Sequence, residues 1–163
     1  MQEILVDEDG YQQFFSELAR LKKFFVSNAA EASSFYQSAI GDGWHDNFAF
    51  EEAKREERCV ADQIDLMLKE KNQLYIIKPT KITPNKINIG DSLELKISYS
   101  ADDSEIEKIK LTGKYIPDVN AEIKEITLNS PLGQALYLKP INKPLSYKIG
   151  DKKIIVKVLN KIN

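Results

Sequence analysis

Cysteine is almost missing from this chain. A single Cys59 cannot close an internal disulfide and fits a reducing compartment. It also excludes the paired cysteines of a zinc site, and the one histidine, His45, lies far from it in sequence, which leaves a Cys–His site unsupported. Long hydrophobic runs are missing as well. The apolar stretches are short, such as Ile154-Ile155-Val156, and none approaches the roughly 20 residues of a membrane span. No membrane partner is therefore expected. The N-terminal Met1–Glu8 segment is acidic, whereas a secretory signal begins basic and then turns apolar; a cytoplasmic location is expected. Glycine and proline are scarce, at 7 and 6 of 163 residues, which argues for a folded chain over a disordered one. P-loop, Rossmann glycine and nucleophile-elbow patterns do not occur.

What is present divides in two. Residues 1–80 hold 9 Lys/Arg against 15 Asp/Glu, a net of −6; residues 81–163 hold 14 against 10, a net of +4. Together they give the formal −2 of the whole chain, a balance that argues against tight, unaided nucleic-acid binding through charge.

The first half has helical periodicity. Asp7 can cap a helix beginning near Glu8, with acidic residues in the first turn suiting the helix dipole. Steps of three and four residues then visit Tyr11, Phe14, Leu18, Leu21, Phe25, Asn28, Ala32, Phe35 and Ala39. Only Asn28 in that series is polar, so the seam is a sustained heptad. A second, weaker seam visits Phe50, Ala53, Glu57, Val60, Ile64, Met67 and Lys71. The short polar stretch between them permits a direct antiparallel return, placing Phe25 opposite Ile64, Leu21 opposite Met67 and Asn28 opposite Val60. Cys59, beside Val60, is expected on the seam side as a structural residue. A dimeric coiled coil or a bundle with another subunit is the alternative.

After Gln73 the texture becomes β-branched. Lys78–Lys86 contains Pro79 and Pro84 and reads as a linker, which predicts a hairpin over 1–77 and a second domain over 78–163. Leu93, Leu95, Ile97 and Tyr99 alternate with polar residues, as in a strand with one buried face. Ile109 and Leu111, with Ile106 a weaker candidate, mark the next strand, and Ile123–Leu128 another. Ser130-Pro131 predicts a helix start with Ser130 as N-cap. Gly150-Asp151 predicts a hairpin between Leu145–Ile149 and Lys153–Ile162. The fold class is α+β: an N-terminal antiparallel coiled-coil hairpin followed by a β-rich domain of about five strands and one short helix.

Chemistry-bearing residues concentrate at the hairpin tip, Gly41-Asp42-Gly43-Trp44-His45-Asp46-Asn47. Asp42 and Asp46 could together hold a hard cation such as Mg²⁺, which takes oxygen ligands and keeps several waters. Equally, Asp46 or Asn47 could cap the second helix and Asp42 could be a turn residue. Trp44 at a polar tip suggests a contact surface, or folds back over the hairpin end. His45 could be a ligand, an acid–base group or simply solvated. Lys54, Arg55 and Arg58 could approach a phosphate backbone, or be compensated by Glu51, Glu52, Glu56 and Glu57 on a solvated face.

Several stretches together resemble the GreA/GreB family of bacterial transcript cleavage factors, over almost the whole chain. Gly10-Tyr11-Gln12-Gln13-Phe14-Phe15-Ser16-Glu17-Leu18-Ala19-Arg20-Leu21-Lys22 is similar to the family's opening helix. The tip Gly41-Asp42 to Asp46-Asn47 resembles its "Gly-Asp-x-x-Glu-Asn" signature, with Phe50 and Ala53-Lys54 following as in the family. Ile87-Asn88-Ile89-Gly90-Asp91 looks like the entry to its second domain. Asn129-Ser130-Pro131-Leu132-Gly133-Gln134-Ala135-Leu136 resembles its "Asn/Asp-Ser-Pro-x-x-x-Ala-Leu" turn and helix.

The resemblance implies an accessory factor, itself no enzyme, acting as a monomer. Its partners would be bacterial RNA polymerase and the nascent RNA 3′ end. The hairpin would enter the polymerase secondary channel, and Asp42 and Asp46 would help hold a Mg²⁺ shared with the polymerase, with none bound tightly in the free protein. Trp44, His45 and Asn47 would be tip contacts, and Lys54, Arg55 and Arg58 would face RNA. Asn129, Ser130 and Pro131 would dock on the polymerase, and the second domain would be FKBP-like. The tip departs from the pattern by one extra residue, by Asp in place of Glu at 46, and by Trp44 and His45; the Gly113–Asn120 segment departs too. Three further readings stand beside cleavage stimulation: a channel-binding modulator without cleavage, an FKBP-like peptidyl-prolyl isomerase or chaperone, and a coiled-coil adaptor.

Overall fold

A computed structural model of the chain describes residues 3–38, 48–78, 85–100 and 102–162. It is α+β, with a pair of long helices and a curled, mostly antiparallel sheet. The order is β1 (Ile4–Val6), α1 (Glu8–Ser38), α2 (Phe48–Lys71), β2 (Leu74–Ile76), β3 (Ser92–Ser98), β4 (Ser104–Thr112), β5 (Lys124–Thr127), α3 (Pro131–Leu136), β6 (Leu145–Ile149) and β7 (Lys152–Ile162). Two compact units result. One is Phe14–Gln73; the other joins Gln2–Gln13 to Leu74–Asn163.

In the helical unit the described apolar seam positions are sheltered, whereas Lys71 is exposed. Phe14, Leu18, Leu21 and Asn28 on α1 are buried, as are Ala53, Val60 and Met67 on α2, while Phe25 and Ile64 are half-buried. The antiparallel sense is visible in two contacts. The Asn28 Nδ2 donates to Glu56 Oε2 at 3.2 Å, and the Lys71 ammonium lies 5.8 Å from the centre of the Phe15 ring. Asn28 thus finds its partner one helical turn from Val60, the residue placed opposite it by the seam pattern. A seam amide with a partner fixes register without leaving a buried polar group unsatisfied. Cys59 is exposed, contrary to the seam-side expectation. One residue is a turn of about 100° on a helix, so with Val60 facing inward its neighbour faces out.

In the other unit five strands run in the order β5-β4-β3-β7-β6. Neighbours are antiparallel except β4–β5, which is parallel. Cross-strand partners show which residues share a face: Leu93 opposite Ile109, Ile97 opposite Val156, Leu95 opposite Val158. All six are buried. Leu132 and Leu136 of α3 join this core with Leu111, Leu128 and Ile87, and α3 touches both edge strands, β5 and β6. Tyr99 and Ile106 do not join it; they are 41% and 63% exposed. Ile106 is out of phase with Ile109 and Leu111 in a period of two. The turn between β6 and β7 is the two-residue Gly150-Asp151, with Gly150 at φ 57°, a left-handed value that glycine reaches without strain.

The sequence pattern missed β1. It pairs in parallel with β2, Ile4 to Leu74 through Val6 to Ile76. The Asp7 amide then donates to the Gly113 carbonyl at 3.0 Å. The Asp7 Oδ1 accepts from the Gly10 amide at 2.7 Å, so Asp7 caps α1 as its position before Glu8 predicts.

Candidate functional site

The tip residues Asp42, Trp44, His45, Asp46 and Asn47 lie outside the described residues. Among the described residues no group of three or more His, Cys, Asp or Glu could hold a metal ion, and no helix is long and apolar enough to cross a membrane.

The basic residues behind the tip are described. Lys54 Nζ meets Glu57 Oε2 at 2.7 Å, and Arg55 meets Glu52 Oε1 at 2.7 Å. Both pairs are one turn apart on α2; Arg55–Glu52 is the more exposed, and i,i+3 pairs of this kind are worth only a few tenths of a kcal/mol, roughly 0.2–0.5. Arg58 is exposed, and among the described residues it makes no ion pair. These three cations therefore remain available to an incoming anion at low cost, Arg58 most directly.

The Asn129-Ser130-Pro131 turn has a structural role for each member. The Asn129 Oδ1 accepts from the Leu5 amide at 2.8 Å, and its Nδ2 donates to the Leu5 carbonyl at 3.0 Å. One side chain thereby imitates a neighbouring strand for β1. The Ser130 Oγ accepts from the Gly133 amide at 3.0 Å and donates to the Thr127 carbonyl at 2.8 Å, which is an N-cap tied to the end of β5. Pro131 takes the first helical position, where its missing N–H costs nothing. Pro131 is exposed; Asn129 and Ser130 are half-buried.

Three polar features were not legible beforehand. The Gln13 side chain clips the Ile116 backbone on both sides, donating to its carbonyl at 3.1 Å and accepting from its amide at 3.0 Å. Lys114 Nζ bonds both Glu125 oxygens at 2.9 and 3.0 Å, and the Asp118 amide donates to Glu125 Oε2 at 2.8 Å. Burial raises the pKa of the Glu125 carboxyl, but the Asp118 amide and Lys114 together outweigh it and hold the group below its usual range; the same hydrogen bond raises Lys114. The Gly113–Asn120 segment is thus pinned at both ends. Lastly, the Tyr99 hydroxyl bonds Glu105, which with some burial pushes its pKa up to about 12. The Ile87–Asp91 stretch also proves to be turn chemistry. Asp91 accepts from the Asn88 amide at 2.8 Å and pairs with Lys161 at 2.7 Å, and Gly90 sits at φ 90°.

A helical pair with two carboxylates in the sequence between its helices, followed by a small β-rich unit, defines a class of two-part proteins. The comparisons narrow the class. The transcription elongation factor GreA of Thermodesulfovibrio yellowstonii is 25% identical over 146 residues, covering 88% of this chain and 87% of that protein. No protein-family profile matches. Among solved structures, Gfh1 of Thermus aquaticus overlays with a TM-score of 0.45 at 18% identity, and a GreA/GreB factor of Nitrosomonas europaea with 0.37 at 12%, each covering 100% of both chains. Those overlays are loose, and the sequence relation is the firmer finding. The chain is thus similar over nearly its whole length to a GreA transcription elongation factor.

Proposed function

We propose that this protein is a transcription elongation factor that binds bacterial RNA polymerase, inserts its helical hairpin into the secondary channel and stimulates hydrolysis of backtracked RNA by the polymerase's own active site. The observation that carries the reading is the 25% identity to a GreA factor across 88% of the chain; Asp42 and Asp46 resemble the acids of the family signature, with one residue more between them.

Each part of the chain has a role in this reading. Asp42 and Asp46 offer carboxylate oxygens, the donor type that Mg²⁺ prefers, and two suffice if the polymerase completes the shell. The ion would be one of two in the polymerase site, where one ion would activate water and the other would steady the leaving oxygen. Trp44, His45 and Asn47 would shape the contact around the reacting phosphate. Arg58, with Lys54 and Arg55 released from their weak glutamate partners, would hold the RNA backbone. Asn129, Ser130 and Pro131 would present a rigid corner to the polymerase outside the channel, with Pro131 the exposed member. The protein would act as a monomer and add carboxylates to another enzyme's site.

The test uses stalled, backtracked polymerase complexes incubated with the protein and Mg²⁺. Short 3′ RNA fragments that disappear with Asp42→Ala are the expected result. Binding to the polymerase without fragments would overturn cleavage stimulation. Asp46 is one carbon shorter than the family's Glu and sits in a loop one residue longer, and small displacements of a catalytic group cost large factors in rate. Those two differences are what favour a channel-binding modulator as the second reading.

A further inference from the structure

We infer that the outer face of the five-stranded sheet is a binding surface for the phosphate backbone of duplex nucleic acid, built on Lys96, Lys157, Lys148 and Lys153. The face opposite the core carries these four exposed lysines. Lys96 on β3 stands directly opposite Lys157 on β7, and Lys153 on β7 directly opposite Lys148 on β6. Like charges directly opposite each other in a ladder are destabilising. Elsewhere on the same face the ladder avoids this, with Lys108 opposite Glu94 and Lys110 opposite Glu125. Among the described residues none of the four lysines makes an ion pair.

Edge protection does not account for the arrangement. Lysine on an edge strand discourages sheet-to-sheet pairing, and β6 is an edge, but β3 and β7 are interior strands. The geometry suits a polyanion. The two lysine pairs are four residues apart along β7, about 13 Å at a strand rise of about 3.3 Å. That is close to four base-pair steps of about 3.4 Å along one strand. Between them lie Ser98 and Ser146, both opposite Ile155, and serine hydroxyls are ordinary phosphate ligands. No aromatic ring stands in this grid, so it lacks the stacking platform of single-strand binders. The inference does not depend on the polymerase reading.

Four lysines make a weak, salt-sensitive site. Anisotropy of a fluorescent 20-base-pair DNA duplex titrated with the full-length protein measures it. Neutralising about four phosphates predicts a slope of about −3.6 in log K against log salt, an affinity loss of about 100-fold between 50 and 200 mM. Lys96→Gln/Lys157→Gln should halve the slope, the Arg pair at the same positions should restore it, and melting should show the Gln pair folded. Lys139→Gln/Lys143→Gln removes the same charge from exposed positions outside the sheet and should change neither. Equal loss in that control would overturn the inference, as would absence of duplex binding at 50 mM salt or binding to phosphatidylserine vesicles in place of the duplex.

Discussion

Gly133 is the position where one methyl group should do the most damage. It lies in the middle of α3, where glycine costs roughly 1 kcal/mol relative to alanine, so propensity alone predicts that Gly133→Ala stabilises. Packing predicts the reverse. A Cβ there would lie 2.0 Å from the Thr127 carbonyl oxygen, 2.9 Å from its carbon and 3.0 Å from Ser130 Oγ. The first two are backbone atoms at the end of β5 and cannot swing aside. Relief requires α3 to lift off the sheet, which loosens Leu132 and Leu136 and lengthens the Ser130 cap. Overpacking against backbone costs about 3 kcal/mol at the upper end of its usual range. Losing the cap adds about 1, and the helix propensity returns about 1. The net is about 3 kcal/mol, a fall in Tm of about 12–24 °C for a domain of this size. Thermal melting by circular dichroism of the full chain reads it, with Ser130→Ala, expected to cost about 1 kcal/mol, as the calibrant. A Gly133→Ala melt within 2 °C of wild type, a ~0.5 kcal/mol effect, would show that the close approach to Thr127 does not hold α3 in place.

Two predictions concern titratable groups. Glu125 has a folded pKa below its ordinary value, so its contribution is present above pH about 4.5 and is lost as pH falls through the lower folded value. Glu125→Gln should therefore cost about 2 kcal/mol at pH 7, the scale of hydrogen bonds to a charged group. The deficit should vanish toward pH 2 in urea melts; a deficit constant with pH would assign the loss to packing instead. Tyr99 has the opposite dependence. Raised to about 12 by Glu105, it adds stability below pH 10 that is lost between pH 10 and 12. An ultraviolet titration should show one tyrosine ionising late, and Glu105→Gln should bring it back toward 10; superimposable curves for the two proteins would refute the pairing.

The parts of the fold that were legible in the sequence are those in which one local period decides burial. The three-and-four steps through Phe14, Leu18, Leu21 and Asn28 name buried positions, and Leu93, Leu95 and Ile97 name one sheet face. The cap signals at Asp7 and Ser130 hold to the residue. What stayed hidden depends on partners far along the chain. Ile4–Val6 is too short for a period of two to register, and its partner strand begins at Leu74. The Gln13–Ile116 clip and the Lys114–Glu125 pair join residues that no spacing rule connects. Tyr99 continues the alternation of β3 past the end of its ladder, where nothing covers it enough to bury it. The two carboxylates of the tip were legible as possible chemistry, but their spacing alone leaves a metal ligand and a helix cap equally open.

The two most telling motifs carry different kinds of information. Every residue from Asn129 to Gly133 that matches or adjoins the family turn has a folding reason. Asn129 braces the Leu5 backbone, Ser130 caps α3, Pro131 opens it, Leu132 fills the core, and Gly133 makes room for Thr127. A match there is evidence that the β-rich unit folds alike, and it would persist in a relative that had lost every partner. Asp42 and Asp46 differ in this respect. A hairpin loop needs polar, turn-compatible residues, and Asn or Ser would serve a turn or a cap as well as Asp. Two acids here bring residues 1–80 from a net of −4 to −6, repulsion that folding does not require. Under the proposed function the acids would serve a cation shared with the polymerase, and the altered spacing around Trp44 and His45 would bear on how it is held. Loss of 3′ RNA fragments on Asp42→Ala with polymerase binding intact therefore separates function from fold more sharply than any substitution in the β-rich unit.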